Sequence, residues 1–546
     1  MIIGKKPPRA HALGEPLLHE NHKRPVTRRE MLGAGLISAP GVLLAPAWLG
    51  ALLRPGKANA ALANDINGML ANTQCNVPTA ATGLPFICFD LAGGANLVGS
   101  EALVGVKGGQ ANFLSTAGYG KLGVPGNMVP SSSANISSAL GLLWHADGAI
   151  LRGVLNKATT AATTANTNGA VMCAMSQNDT SSNPHNPMYG IAMTGAKGRL
   201  LNLIGSQSTV SGGNSMSPMY MINPSFQPTK ISQPADAKSL VDTGGATADP
   251  VAVAVLQSQA RISGGGALYN STNNNPATAG TEFTGMLAPQ NGGTPGTTLY
   301  PTDPVADAQL KNQVRCAYVK SANTADAFGN PAALDPTQDP LITGGASPIF
   351  TMADFSDRDV SETATIMKLV LNGYAAAGTI TMGGYDYHDS TRATGETRNF
   401  KAGQMIGAVL EYAQRVGSPV MIYVFSDGSL SSSAMVDTST AGRNKLAWQG
   451  DNQSVSSTFF LVYNPTGRAA LLNGVAGQQI GYYSSDGSVV ATSNPAANSV
   501  TQLVETVLLN YLALQNKASQ FSTFFPSQGL GSVTAQAGLT AFAPIM

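Results

Sequence analysis

Six short apolar runs punctuate this chain, and most of them stop at Gly, Ser or Asp. Residues 85–89 end in Asp90 and then Gly93-Gly94. Residues 378–382 run into Gly383-Gly384 and Asp386, and residues 419–425 run into Ser426 and Asp427. Residues 149–154, 170–175 and 459–463 are of the same kind. A strand that is apolar throughout, instead of at alternate positions, is covered on both faces, as central strands of a parallel sheet are. Helical stripes lie between the runs. Residues 361–377 align Ile366, Leu369, Val370 and Tyr374. Residues 400–416 align Met405, Ile406, Val409, Leu410, Ala413 and Val416, and residues 499–514 align Val500, Leu503, Val504, Val507, Leu508 and Tyr511. Ser361, Asn399 and Asn498 stand where helix N-caps are expected. Alternating strand and helix predicts an α/β fold, a doubly wound and mainly parallel sheet with helices on both faces. The pattern divides the chain into a first α/β part over 61–204, a Gly/Ser/Asn/Pro-rich insertion or cap over 205–350, a second α/β part over 351–520 and an irregular tail over 521–546. One helix is expected inside the insertion, near 250–262.

The first sixty residues read as a twin-arginine (Tat) signal peptide. Thr27-Arg-Arg-Glu-Met-Leu32 carries the pair Arg28 and Arg29. A mildly apolar stretch to Leu53, diluted by Gly and Pro, leads to Arg54 and Lys57, and Ala58-Asn-Ala60 offers an A-x-A cleavage site. The stretch is long enough to span a bilayer, but the interruptions and the small-residue site favour cleavage. The expectation is a periplasmic or extracellular protein that meets the Tat translocase and keeps no stable membrane span. The first sixty residues hold nine basic and three acidic side chains, leaving 22 and 27 in the remainder, a net charge of −5. That balance, with no basic cluster, argues against nucleic acid as a partner. Cys75, Cys88, Cys173 and Cys316 can form two disulfides in any of three pairings in an oxidising compartment, although Cys88 and Cys173 lie in apolar runs that suit buried free thiols.

In open α/β sheets ligands bind beyond the carboxyl ends of the strands, where Asp90, Asp386 and Asp427 fall. Gly383-Gly-Tyr-Asp-Tyr-His388 is the sharpest element, because residues two apart in an extended segment face the same way and Asp386 and His388 can reach one ion. Asp386, His388, Asp427 and Asp451 form the expected ligand set for a divalent cation (Zn, Ca, Mg or Mn), with Asp90 a further ligand and Asn96, His185, Ser426 and Asn452 around them. The bland alternative is that Asp386 caps a turn in which His388 hydrogen-bonds. Beyond residue 60 only three histidines remain, His145, His185 and His388, too few for a two-zinc site unless all converge. His145 suits a helix end, and His185, in a turn-rich loop, can face a cleft. There is no G-x-S-x-G elbow, dinucleotide fingerprint or P-loop.

These segments together resemble the bacterial, commonly Tat-exported family catalogued as domain of unknown function 1501, related to the alkaline phosphatase and sulfatase superfamily. The match is clearest at Gly383-Gly-Tyr-Asp-Tyr-His388, against the family's Gly-Gly-Phe-Asp-Thr-His. It extends to 89–96, 142–154, Pro184-His185, 424–428 and Gly450-Asp-Asn452. Asn96 stands where the family has Asp, Asn452 where it has His, and the Phe-Gly-Arg that follows Asp427's counterpart is missing. The resemblance implies metal-assisted hydrolysis of a phosphate or sulfate ester. The departures imply a weakened metal site and a role in binding or the cell envelope, with a working hydrolase as the alternative. The neutral Ser/Asn/Gly-rich stretch suggests a third possibility, a surface or secretion-associated structural protein. No residue stands out as the nucleophile.

Overall fold

The computed structural model describes residues 81–177, 182–240 and 331–546. The segment expected to be a signal peptide, with Arg28, Arg29, Ala58 and Ala60, and also Cys75, Cys316 and the helix expected over 250–262, all lie outside the described residues. The strands are β1 (Phe86–Leu91), β2 (Ile136–Ser137), β3 (Trp144–His145), β4 (Thr167–Met172), β5 (Leu201–Gly205), β6 (Thr229–Lys230), β7 (Ala375–Met382), β8 (Val420–Phe425), β9 (Leu430–Asp437), β10 (Lys445–Asp451), β11 (Thr458–Tyr463) and β12 (Gln479–Ile480). The four long helices are α1 (Ala149–Lys157), α2 (Arg358–Leu371), α3 (Ala393–Val416) and α4 (Val500–Leu514).

Eight strands form one mixed sheet in the order β12-β4-β11-β8-β1-β7-β5-β6. All run parallel except β11, which is antiparallel to β8 and β4. The expected α/β architecture is thus present. β1, β4, β7, β8 and β11 are buried along their whole length, as the apolar runs within them require. Helices cover both faces. Ala377 packs in the core under α4, with Leu503, Val507 and Leu508, while its neighbour Gly378 turns the other way, where an added Cβ would stand 2.5 Å from Ile366 of α2.

Three expectations need correction. The run at 149–154 is helical, the start of α1. Ala149, Ile150, Leu151, Gly153 and Val154 are all buried, so its pattern matches a central strand, but the buried Glu101 carboxylate accepts the Ile150 N–H at 2.8 Å and fixes a helix start there. The strands ending at 382 and 425, joined by one helix and so expected side by side, are β7 and β8, and β1 lies between them. The helix starts also shift: Asp357 caps α2 and Ser499 caps α4, while Asn399 lies inside α3, donating to Asn96 O and Glu101. Within 205–350, β6 forms the sheet edge beside β5. In the tail, Phe521, Phe525 and Phe542 are buried in the core. Cys88 and Cys173 are buried free thiols. No described helix is long and apolar enough to cross a membrane.

Candidate metal centre

β1, β7 and β8 end together. Leu91 pairs with Met382 and Asp90 with Phe425, so the segments that follow leave the same edge of the sheet. After β7 the chain alternates sharply. Tyr385 and Tyr387 are buried, whereas Asp386 and His388 have nearly half of their side chains exposed. The tyrosines are anchors: the Tyr385 hydroxyl donates to Arg398 O at 3.0 Å, and the Tyr387 hydroxyl accepts the Asn96 N–H at 3.0 Å while donating to Asn399 Oδ1 at 3.2 Å. Gly93 makes room for this segment. It has φ +115°, and a Cβ there would come within 2.6 Å of Asp386 N, so no side chain fits.

Asp451 arrives from a different element. β9 and β10 form a hairpin in which Asp451 pairs with Leu430, three residues after Asp427. The hairpin therefore returns its last residue to the carboxyl edge. His388 Nε2 lies 2.9 Å from Asp386 Oδ1 and 4.0 Å from Asp451 Oδ1. One ligand atom from each of the three residues falls within 4.8 Å of the others, and all three are exposed, as acidic groups on a surface often are. A first-row cation at about 2.0–2.2 Å from each would set neighbouring donors about 3.0–3.4 Å apart. The His388–Asp386 pair is already near that spacing, and exposed side chains can supply the rest. Asp386, His388 and Asp451 could hold a metal ion.

Asp427 and Asp90 are not in this exposed group. Both are fully buried. Asp427 accepts the Gly93 N–H at 2.9 Å on Oδ1 and Asn214 Nδ2 at 3.2 Å on Oδ2. Asp90 accepts the Ser215 N–H at 2.8 Å and the Ser215 hydroxyl at 3.2 Å. The 211–217 loop, from the stretch expected to be an insertion, thus carries donors to both carboxylates, Asn214 to Asp427 and Ser215 to Asp90. Nothing in its Ser/Gly/Asn composition singled it out.

The residues expected around the site hold backbone in place. Asn96 donates to Leu430 O and accepts the Val98 N–H. The Ser426 hydroxyl lies 2.7 Å from Leu91 O and from Gly93 O and accepts the Ala95 N–H. Asn452 accepts from Ser454 and caps the short turn at Gln453–Val455. His185 faces no open cleft. It is fully buried and stacked on Phe425 with ring centroids 5.9 Å apart, and burial pushes its pKa down to about 3. His145 lies in β3, four residues before α1, with Nε2 3.0 Å from Met128 O, and burial lowers it to about 4.

Burial pushes the Asp90 carboxyl up from 3.8 to about 6 against the opposing bonds from the 214–215 backbone and Ser215. A folded-state value above the unfolded one favours the protonated form. That stabilisation is complete below about pH 4 and is lost as the pH rises through 6. Asp90→Asn, which keeps an acceptor without the charge, is expected to unfold later in urea than the parent at pH 8, by about 3 kcal/mol, with no gain at pH 4. A difference independent of pH would contradict this account.

Comparison with known protein families, curated proteins and solved structures finds no match to this chain.

Proposed function

We propose that this is a Tat-exported, divergent relative of the alkaline phosphatases and sulfatases, which binds one divalent cation at Asp386, His388 and Asp451 and acts in binding at the cell envelope instead of as an efficient hydrolase. The observation that carries the reading is the convergence of one imidazole and two carboxylates, from segments more than sixty positions apart, at the carboxyl edge of the sheet. A nitrogen donor beside two carboxylates suits Zn²⁺ or Mn²⁺ better than Ca²⁺ or Mg²⁺, which take oxygen ligands. With three protein ligands and exposed surroundings, positions stay open for water or a ligand oxygen. The binding role is preferred because the other two carboxylates at this edge, Asp90 and Asp427, already accept bonds from Ser215, Gly93 and Asn214. A second ion would have to displace those donors.

Titration of the metal-stripped protein with Zn²⁺ and Mn²⁺ is expected to give one site per chain. His388→Ala is expected to weaken it by about 100-fold and Asp451→Asn by about tenfold, as loss of one ligand from three should. Unchanged affinity in the double variant would remove the site from these residues. Rapid turnover of aryl phosphates or sulfates by the metal-loaded parent would overturn the binding role in favour of hydrolysis.

A further inference from the structure

A polar cleft of about 360 Å³ opens at the same edge of the sheet, beyond the carboxyl ends of β5 and β6 and against the first turn of α2. Its size is that of a small-molecule site, but its lining is not apolar. Ser206 and Gln207 follow β5, Lys230 ends β6, Ser232 and Gln233 come next, and Phe355 supplies the one aromatic ring. Glu362 completes the lining from α2. It is buried, Arg358 Nε donates to its Oε1 at 2.8 Å, and its Oε2, with the Ser206 hydroxyl beside the carboxyl, meets no well-aligned donor among the described residues. Burial raises the carboxyl, and Arg358 and the Ser206 hydroxyl offset this only in part. A buried acceptor left without a donor costs free energy that a ligand hydroxyl could recover. The cations are also under-used. Arg358 spends only Nε on Glu362 and is two-thirds exposed, and among the described residues Lys230 makes no ion pair.

Vicinal hydroxyls are best met by planar amides and carboxylates, and the C–H face of a sugar ring by an aromatic ring. Gln207, Gln233, Glu362 and Phe355 offer that combination, and Lys230 and Arg358 add two positive charges at its rim. We propose that this cleft binds a monosaccharide unit carrying an acidic group, a carboxylate or a phosphate, with Glu362 and Gln207 on the hydroxyls and Lys230 and Arg358 on the anion. This site is independent of the metal-binding reading.

Calorimetric titration of the full chain with glucuronate, glucose 6-phosphate, glucose and inorganic phosphate tests it. One or both of the acidic sugars should bind, and glucose and phosphate alone should each bind at least about tenfold more weakly, since each forgoes one half of the contacts. Glu362→Gln and Lys230→Ala should each reduce binding by about tenfold. Lys230 is exposed, so its variant should keep the parent's thermal unfolding and report on binding even if the Glu362 variant folds poorly. Absence of binding by both acidic sugars at about 10 mM overturns the proposal. So does undiminished binding in Lys230→Ala, or phosphate binding as tightly as the sugar phosphate.

Discussion

A single methyl group added at Gly403 is expected to destabilise the protein by about 3 kcal/mol or prevent its folding, although alanine is intrinsically the better helix former by about 1 kcal/mol. Helices α1 and α3 touch backbone to backbone. A Cβ at Gly403 would stand 2.1 Å from Ile150 O, one at Gly407 2.5 Å from Val154 O, and one at Gly153 2.1 Å from Phe400 O. Three glycines, two of them one turn apart on α3, keep that approach open. The atoms they meet belong to the other helix's backbone, which cannot rotate away as a side chain can. Gly403→Ala must therefore push two helices apart over a buried interface. Urea unfolding followed by circular dichroism measures the loss, with Thr397→Ala on the exposed face of α3 as a control for helix propensity. A Gly403→Ala protein as stable as its parent would rule out the close approach.

Glu396→Ala should cost about as much, roughly 3–5 kcal/mol, for an electrostatic reason. Glu396 sits on α3 with its carboxylate buried. Its Oε1 accepts from Arg392 at 2.9 Å and Lys445 at 2.8 Å, and its Oε2 from Arg152 at 2.6 Å. Arg392 and Lys445 are as buried as it is, and Arg392 also lies 4.4 Å from the centre of the Trp448 ring. Truncating Glu396 leaves three cations around the remaining acids, Glu101 and Asp147. Glu101 is held up at about 7 by burial and then by repulsion from Glu396, so its carboxyl should ionise more readily in the variant. Pairing Glu396→Ala with Lys445→Met removes one stranded charge and should recover part of the loss in the same unfolding measurement. If the double variant is no more stable than Glu396→Ala, unpaired charge is not the cause.

Sequence patterns revealed most of the sheet, because strands buried on both faces need unbroken apolar runs, and those at β1, β7, β8 and β11 could be read directly. The same rule misled at 149–154. A short helix buried nearly all round has the composition of a central strand, and the residue that decides between them, Glu101, lies 49 positions away. The order of strands was hidden as well, since nothing local to β7 or β8 reports that β1 separates them. At the candidate site the Tyr-Asp-Tyr-His alternation made the outward pair legible. Asp90 and Asp427 carry the same side chain as Asp386 and the same place after a strand, yet they are buried and bonded to a loop 125 and 213 positions distant. Residue type identified the candidates, and only tertiary packing sorted them.

The origin of Asp451 has one more consequence. Asp386 and His388 belong to the segment after β7, and Asp451 to the end of a hairpin formed after β8. An ion shared among them would act as a removable cross-link. It would close a loop of roughly 65 residues, the span that contains α3, β8 and both hairpin strands, and by chain-entropy reasoning such a closure restricts the unfolded ensemble by about 4 kcal/mol. The metal would then set how tightly the chain is tied as well as what it can bind, and scavenging of the ion would remove that tie while leaving every bond within the sheet and the hairpin intact.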